Sequence, residues 1–116
     1  MAKIFVREIA TSALSEAAGT KLRNVILDIF NKNADEEIVL DFSNITLFAT
    51  MFFNSSIGFL IAKGYKVVDN ITIENISRLG LDTLEHSKQN AIKLTQHPEI
   101  SIIISDNIAE DADEWV

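Results

Sequence analysis

The chain contains no cysteine, so disulfides, thiolate metal sites and cysteine nucleophiles are excluded. A chain without cysteine fits a reducing compartment, and we predict a cytoplasmic protein. Proline occurs once, at Pro98, and the four glycines are isolated from one another. The sequence therefore lacks a glycine-rich phosphate loop. It has neither an apolar run near the ~20 residues of a membrane span nor a signal-peptide core, so we expect neither membrane association nor export.

Basic residues are scarce, with 10 Lys and Arg against 17 Asp and Glu, which gives a net charge of −7. Such a charge disfavours contact with a phosphate backbone, so we predict no nucleic-acid partner. The imbalance is strongest at the C-terminal end, where no Lys or Arg follows Lys93. The acidic residues there are Glu99, Asp106, Glu110, Asp111, Asp113 and Glu114.

Groups that could perform catalysis are few. The two histidines, His86 and His97, have neither a nucleophile nor a second histidine at the spacing of a known motif. Asp41, Asp69 and Asp82 are scattered along the chain. We therefore expect no enzymatic activity, no metal and no cofactor.

Hydrophobic residues make up 47% of 116 residues, which is enough for the core of one domain. Residues 3–9 mix β-branched and aromatic side chains and predict a first strand. Apolar residues then recur at helical spacing from Leu14 to Ile29, with Gly19 inside the stripe as a site of close packing. The apolar run at residues 38–42 predicts a buried strand.

A second helix is predicted from Thr50 to a stop at Gly64, because Phe53, Ile57, Leu60 and Ile61 form one apolar face. The intervening Asn54, Ser55 and Ser56 are expected to point elsewhere. A short strand at residues 66–68 and a longer one at 71–75 follow. Ser77 is placed to cap the next helix, which Pro98 ends. The inner face of that helix is predicted to hold Leu81, Leu84, Ala91, Ile92 and Leu94.

Alternation of strands and helices predicts an α/β fold with a mixed, mainly parallel sheet and helices packed on it. The strand at 38–42 should be central, between those at 3–9 and 71–75. We assign residues 1–97 to the domain. Residues 98–116 are an extension that packs with it, consisting of a strand at 100–104 and an acidic tail. That strand either joins its own sheet or crosses to a second subunit, so the protein is a monomer or a homodimer.

Residues 39–58, VLDFSNITLFATMFFNSSIG, resemble the central motif of the STAS-like domains of unknown function. These domains are similar to the STAS domains of anti-sigma-factor antagonists. The family pattern is an apolar strand ending in Leu-Asp-Phe, a short turn with a small-residue pair, then Phe-x-Asn/Asp and a helix containing glycine. Leu40, Asp41 and Phe42 match its beginning, whereas Phe52, Asn54 and Gly58 match its end. The resemblance covers roughly residues 4 to 95 and marks Asp41 and Gly58 as structural motif residues.

The sequence departs from the antagonists at the start of the second helix. Antagonists carry Asp-Ser-Ser/Thr-Gly there, with a serine that a partner kinase phosphorylates. The aligned residues here are Ala49, Thr50, Met51 and Phe52, so only Thr50 has a hydroxyl. Thr50 is either a phospho-acceptor or simply the helix N-cap, and the loss of the aspartate favours the cap.

The resemblance implies a non-enzymatic regulatory module that binds a protein partner, either a histidine-kinase-like ATPase or a serine/threonine kinase. The predicted contact residues are Ala49, Thr50, Met51, Asn54 and Ser55. A second hypothesis comes from the net charge: an acidic inhibitor or immunity-type protein that neutralises a basic toxin or nuclease.

Overall fold

The computed structural model describes residues 1–96, which form one layer of helices on a small sheet. The three strands are β1 (Ala2–Phe5), β2 (Ile38–Asp41) and β3 (Ile71–Glu74). The five α-helices are α1 (Val6–Ile9), α2 (Glu16–Lys32), α3 (Thr50–Ser55), α4 (Ile57–Ala62) and α5 (Arg78–Gln96). A 3₁₀ helix spans Lys66–Asn70.

The sheet is parallel throughout these residues, with the order β1-β2-β3. The predicted α/β class and the central position of β2 are therefore confirmed. In-register rows join Ile4, Leu40 and Ile73 across the sheet. These three side chains belong to the hydrophobic core or pack against it, whereas Thr72 and Glu74 alternate with them and are exposed. All four residues of β2 are buried, as expected for the only strand here with a partner on both sides.

The prediction of a strand over residues 3–9 is wrong in its second half. The strand ends at Phe5, and Val6–Ile9 forms a single helical turn closed by the Ala10 amide, which donates to the Val6 carbonyl at 3.0 Å. Val6 is fully buried. Burial at the end of the sheet has overridden the β-propensity of this segment, which depends strongly on context.

Ser15 is the N-cap of helix α2, since its hydroxyl accepts a hydrogen bond from the Ala18 amide at 3.0 Å. Its buried residues are Gly19, Leu22 and Ile26. The predicted close packing at Gly19 is confirmed: a methyl group there would overlap the Ser55 hydroxyl and the Phe52 carbonyl of α3. Leu14 was assigned to the same stripe, but it precedes the helix and is exposed.

The single helix predicted from Thr50 to Gly64 is divided into α3 and α4. The break lies at Ser56, whose φ of −109° and ψ of −99° are not helical. The Ser56 hydroxyl donates to the Phe52 carbonyl at 2.9 Å, and the Ser55 hydroxyl donates to the same oxygen at 3.1 Å. Serine hydroxyls that bond backward along a helix promote such bends. Gly64, with a φ of +75°, ends α4 as predicted.

For the 3₁₀ helix and α5, some predictions are confirmed and others are wrong. Residues 66–68 belong to the 3₁₀ helix instead of a strand, and Val67 is fully buried there. Ser77 caps α5 as predicted, because its hydroxyl accepts from the Gly80 amide at 3.1 Å. The buried residues of α5 are Gly80, Leu84, Ser87 and Ala91. Leu81 and Ile92, predicted to face inward, are exposed.

Helix α3 packs against both α2 and α5, and α4 packs against α5. None of the helices in residues 1–96 is both long enough and apolar enough to cross a bilayer. The predicted stop at Pro98, the strand at 100–104 and the acidic tail lie outside the described residues, as does His97.

The close contact at Gly19 predicts that alanine there destabilises the protein, although helix propensity alone favours alanine over glycine. Alanine at position 19 should lower the free energy of unfolding by about 1–3 kcal/mol, because the added methyl group overpacks the α2–α3 contact. Propensity alone would raise it by about 1 kcal/mol. Urea denaturation of Gly19→Ala measures the change.

The control is Asn24→Ala, at an exposed position of the same helix. It should leave the urea midpoint unchanged or raise it slightly. A stabilised Gly19→Ala variant would show that α2 does not approach α3 this closely.

Candidate functional site

The candidate site lies where the parallel strands end, at the carboxyl edge of the sheet. Asp41 is the last residue of β2 and only 3% exposed. Its Oδ1 accepts from the Ser43 amide at 2.8 Å and from the Ser43 hydroxyl at 2.5 Å. Its Oδ2 accepts from Nδ2 of Asn75 at 3.0 Å and lies 3.4 Å from Nζ of Lys3. The carboxylate therefore joins β1, β2 and the turn after β3.

These donors stabilise the charged form of Asp41. The side-chain and backbone hydrogen bonds from Ser43 are the largest effects, followed after an opposing desolvation by Asn75 and Lys3. Together they lower the pKa of Asp41 from 3.8 to about 2. Every oxygen of this buried carboxylate is engaged, so Asp41 serves as a structural anchor.

Two asparagines adopt left-handed backbone conformations at this edge. Asn44 has a φ of 66° and Asn75 a φ of 57°, which asparagine tolerates better than most residues. Asn44 lies in the turn at residues 43–44 that follows β2. The turn directs the following loop back across the end of the sheet toward α3.

That loop is held by a short parallel bridge between Ala13 and Phe48. The Ala13 amide donates to the Leu47 carbonyl at 3.1 Å, and the Ala49 amide donates to the Ala13 carbonyl at 2.8 Å. Ala13 is fully buried and Phe48 packs on the core. Because neighbouring residues of extended chain point to opposite sides, Leu14 and Leu47 point outward and are 39% and 57% exposed.

The two leucines adjoin the first residues of α3. We call this patch the α3 N-terminal surface; it comprises Leu14, Leu47, Ala49, Thr50 and Met51. The last three are partly exposed.

The structure corrects the prediction that Thr50 is the helix N-cap. The N-cap position falls on Ala49, which offers no side-chain hydrogen bond, and Thr50 is the first helical residue. No hydrogen bond of the Thr50 hydroxyl is present within residues 1–96. Thr50, the candidate phospho-acceptor, is therefore a partly exposed residue whose hydroxyl makes no hydrogen bond to the described part of the chain.

Two other predicted contact residues lie on different sides of α3. Ser55 is buried against α2, where its hydroxyl donates to the Glu16 carbonyl at 3.0 Å. The expectation that it contacts a partner is therefore wrong. Asn54 is partly exposed and faces α5, where its Oδ1 accepts from the Ser87 hydroxyl at 2.6 Å. Its buried Nδ2 has no hydrogen-bond partner among residues 1–96.

Gly58 is fully enclosed between α4 and α5. A Cβ atom there would lie 2.7 Å from Oγ of Ser87 and 2.9 Å from the Phe53 carbonyl oxygen. Such separations require a shift of the neighbouring groups, so a larger side chain at this position would push α4 away from its neighbours. No group of three or more potential metal-binding side chains occurs in residues 1–96.

Asp41, Asn54 and Gly58 lie within the part of the chain that matches a known family. The family model of the STAS-like domain of unknown function (DUF4325) matches residues 18–80. The chain belongs to this family. Searches of curated proteins and of solved structures found no match.

The match to the STAS-like family extends from α2 to the start of α5 and includes most of the candidate site. Lys3, Leu14 and the last residues of α5 lie outside the match. Neither Leu14 nor Leu47 was predicted to belong to the candidate site. The one available signal was Leu47, an apolar residue in the polar turn region that follows a strand.

The lowered pKa of Asp41 predicts a specific acid sensitivity. A carboxylate whose pKa is lower in the folded state stabilises the fold above its unfolded-state pKa. That contribution should be lost as the pH falls from about 4 through about 2. In Asp41→Asn, the urea midpoint should fall at pH 7 and depend less on pH across this window.

The control is Asp82→Asn, which removes an exposed carboxylate whose ion-pair partner within residues 1–96 is Arg78. Its pH profile should follow the wild type. If Asp41→Asn retained the wild-type steepness below pH 4, another carboxylate would be responsible.

Proposed function

We propose that this STAS-like domain is a non-enzymatic regulatory module that binds a protein partner through its α3 N-terminal surface. The observation that supports this most directly is the exposure of Leu47 and Leu14 next to a partly exposed Thr50. Adjacent exposed apolar side chains on a small domain are typical of interaction sites. The partner would cover both leucines and contact Ala49, Thr50 and Met51.

The resemblance to anti-sigma-factor antagonists supports a cytoplasmic histidine-kinase-like ATPase or serine/threonine kinase as the partner. In this proposal Thr50 is the phospho-acceptor. A phosphate there would add a charge of about −1.5 to −2 at pH 7 beside the two leucines. Docking would then require desolvation of that charge, so phosphorylation should release the partner.

The second hypothesis, an acidic inhibitor of a basic toxin or nuclease, depends on where the charge is located. All ten basic and eleven of the seventeen acidic residues lie within residues 1–96, which gives this segment a formal charge of −1. The remaining −6 belongs to residues 97–116. An electrostatic inhibitor would therefore have to act mainly through that segment, and its affinity would fall steeply with salt.

The first test introduces a charge into the α3 N-terminal surface. Leu47→Glu should reduce capture of the partner from lysate of the source cell at least tenfold, because the glutamate would be desolvated in the complex. The melting temperature should be unchanged, since Leu47 is 57% exposed. Quantitative mass spectrometry of the captured proteins measures the effect.

The matched control is Ile92→Glu, which places the same charge at an exposed apolar position on α5. Capture by this variant should equal that of the wild type. Equal losses from both variants would indicate a general charge effect, and retained capture by Leu47→Glu would exclude this surface.

The second test concerns Thr50. Peptide mapping of protein recovered from the source cell should find phosphate on Thr50. Thr50→Glu should weaken partner capture, whereas Thr50→Val, which has nearly the same shape, should preserve it. A phosphate on a different residue, or equal capture by both variants, would contradict the regulatory role of Thr50.

A further inference from the structure

Helix α5 presents a second stripe of side chains besides its buried face. The buried face, which packs against α3 and α4, consists of Gly80, Leu84, Ser87 and Ala91. The second stripe lies about 100° around the helix from it.

This second stripe has apolar ends and a charged centre, and we call it the α5 stripe. Its ends are Leu81 and Ile92, which are 40% and 38% exposed. Its centre is Glu85 and Lys88, which are both partly exposed. The steps of four, three and four residues between these side chains follow the helical repeat, so all four share one face. The same steps separate the contact positions of a coiled coil.

The α5 stripe is complementary to a reversed copy of itself. Its order is apolar, acidic, basic and apolar, and both the outer and the inner pair have their midpoint between residues 86 and 87. When two copies lie antiparallel around that midpoint, Leu81 of each faces Ile92 of the other. Glu85 of each then faces Lys88 of the other. A parallel two-fold pair would instead place each charge opposite the same charge, which is unfavourable.

We propose that two copies of this chain associate through their α5 stripes as an antiparallel helix pair. The two-fold axis passes between residues 86 and 87, so every contact occurs twice. The Leu81–Ile92 contacts exclude water at both ends of the interface. The Glu85–Lys88 pairs between the copies fix the register and the direction of the helices, a role that polar residues have at the contact positions of helix pairs.

The size of this contact predicts a weak dimer. From residue 81 to residue 92 the helix is about 17 Å long, so the contact lies at the small end of specific protein interfaces. We therefore expect the dimer to form and dissociate with protein concentration. The α5 stripe shares no residue with the α3 N-terminal surface, and its pairing does not depend on the proposed function.

Reversal of single charges tests whether Glu85 and Lys88 meet across the interface. Lys88→Glu makes the centre of both stripes acidic, and Glu85→Lys makes it basic. Each variant alone should dimerise with a Kd at least about tenfold higher than that of the wild type, because like charges face one another. An equimolar mixture of the two variants should dimerise again, because each glutamate faces a lysine of the other variant. Sedimentation equilibrium measures the mass relative to the 12.9 kDa of one chain.

The mixture separates pairing between copies from pairing within one chain. Within the chain, Nζ of Lys88 lies 3.4 Å from Oε1 of Glu85, and mixing does not restore this contact in either variant. Recovery of the dimer therefore has to come from contacts between copies. The matched control is Lys93→Glu, the same reversal at an exposed position of α5 outside the stripe. It should dimerise as the wild type does. Melting temperatures verify that every variant is folded.

Three results would overturn the proposal. The first is a wild-type protein that stays monomeric at about 1 mM, where even weak complexes associate. The second is a dimer that neither charge reversal weakens, which would indicate strand exchange or another contact. The third is a mixture of the two variants that remains monomeric.

Two further variants distinguish this interface from the proposed partner site. Ile92→Glu should be monomeric and still capture the partner, because it changes only the α5 stripe. Leu47→Glu should lose partner capture and remain able to dimerise. A dimer of Ile92→Glu as stable as that of the wild type would overturn the α5 pairing whatever the outcome for the partner.

Discussion

The arrangement of the domain depends on the close packing of α3 and α4 between two longer helices. Helices of six residues, such as α3 and α4, are not stable alone in water. They are held because Gly19 admits the Phe52 carbonyl on one side, while Gly58 admits Ser87 on the other. At the break between the two helices, the Ser56 hydroxyl donates to the Phe52 carbonyl, and the Ser55 hydroxyl lies within hydrogen-bond distance of carbonyls in both α3 and α2. The direction of α3, and hence the position of Thr50, follows from these contacts.

This packing explains which parts of the fold could be predicted from the sequence. The central strand, the cap at Ser77 and the stop at Gly64 depend on local composition, and all three were predicted. The burial of Ser55 was missed, because it arises from the approach of α2. The break at Ser56 was missed as well, because serine hydroxyls that bond backward along a helix leave the apolar pattern unchanged. Likewise, the buried face of α5 contains Gly80 and Ser87 instead of Leu81 and Ile92. A search for large apolar residues overlooks an interface that requires small ones.

In the candidate site too, features set by local sequence were predicted, whereas features set by distant contacts were not. The motif around Asp41 and the helix start near Thr50 were recognised from their resemblance to a family. The partners of Asp41 were not predicted, since Lys3 and Asn75 lie 38 and 34 positions away in the chain. The exposed leucines were also missed, because their outward direction is set by the bridge between Ala13 and Phe48. Non-local pairing of this kind leaves no periodic pattern in the sequence.

The strand order β1-β2-β3 follows the order of synthesis. Each strand and its helix can therefore pack on the completed part of the sheet as the chain leaves the ribosome, and no segment needs to be inserted between two others. The temporary edge of the growing sheet is apolar on one face, so it is the surface most exposed to wrong pairing before the next strand arrives.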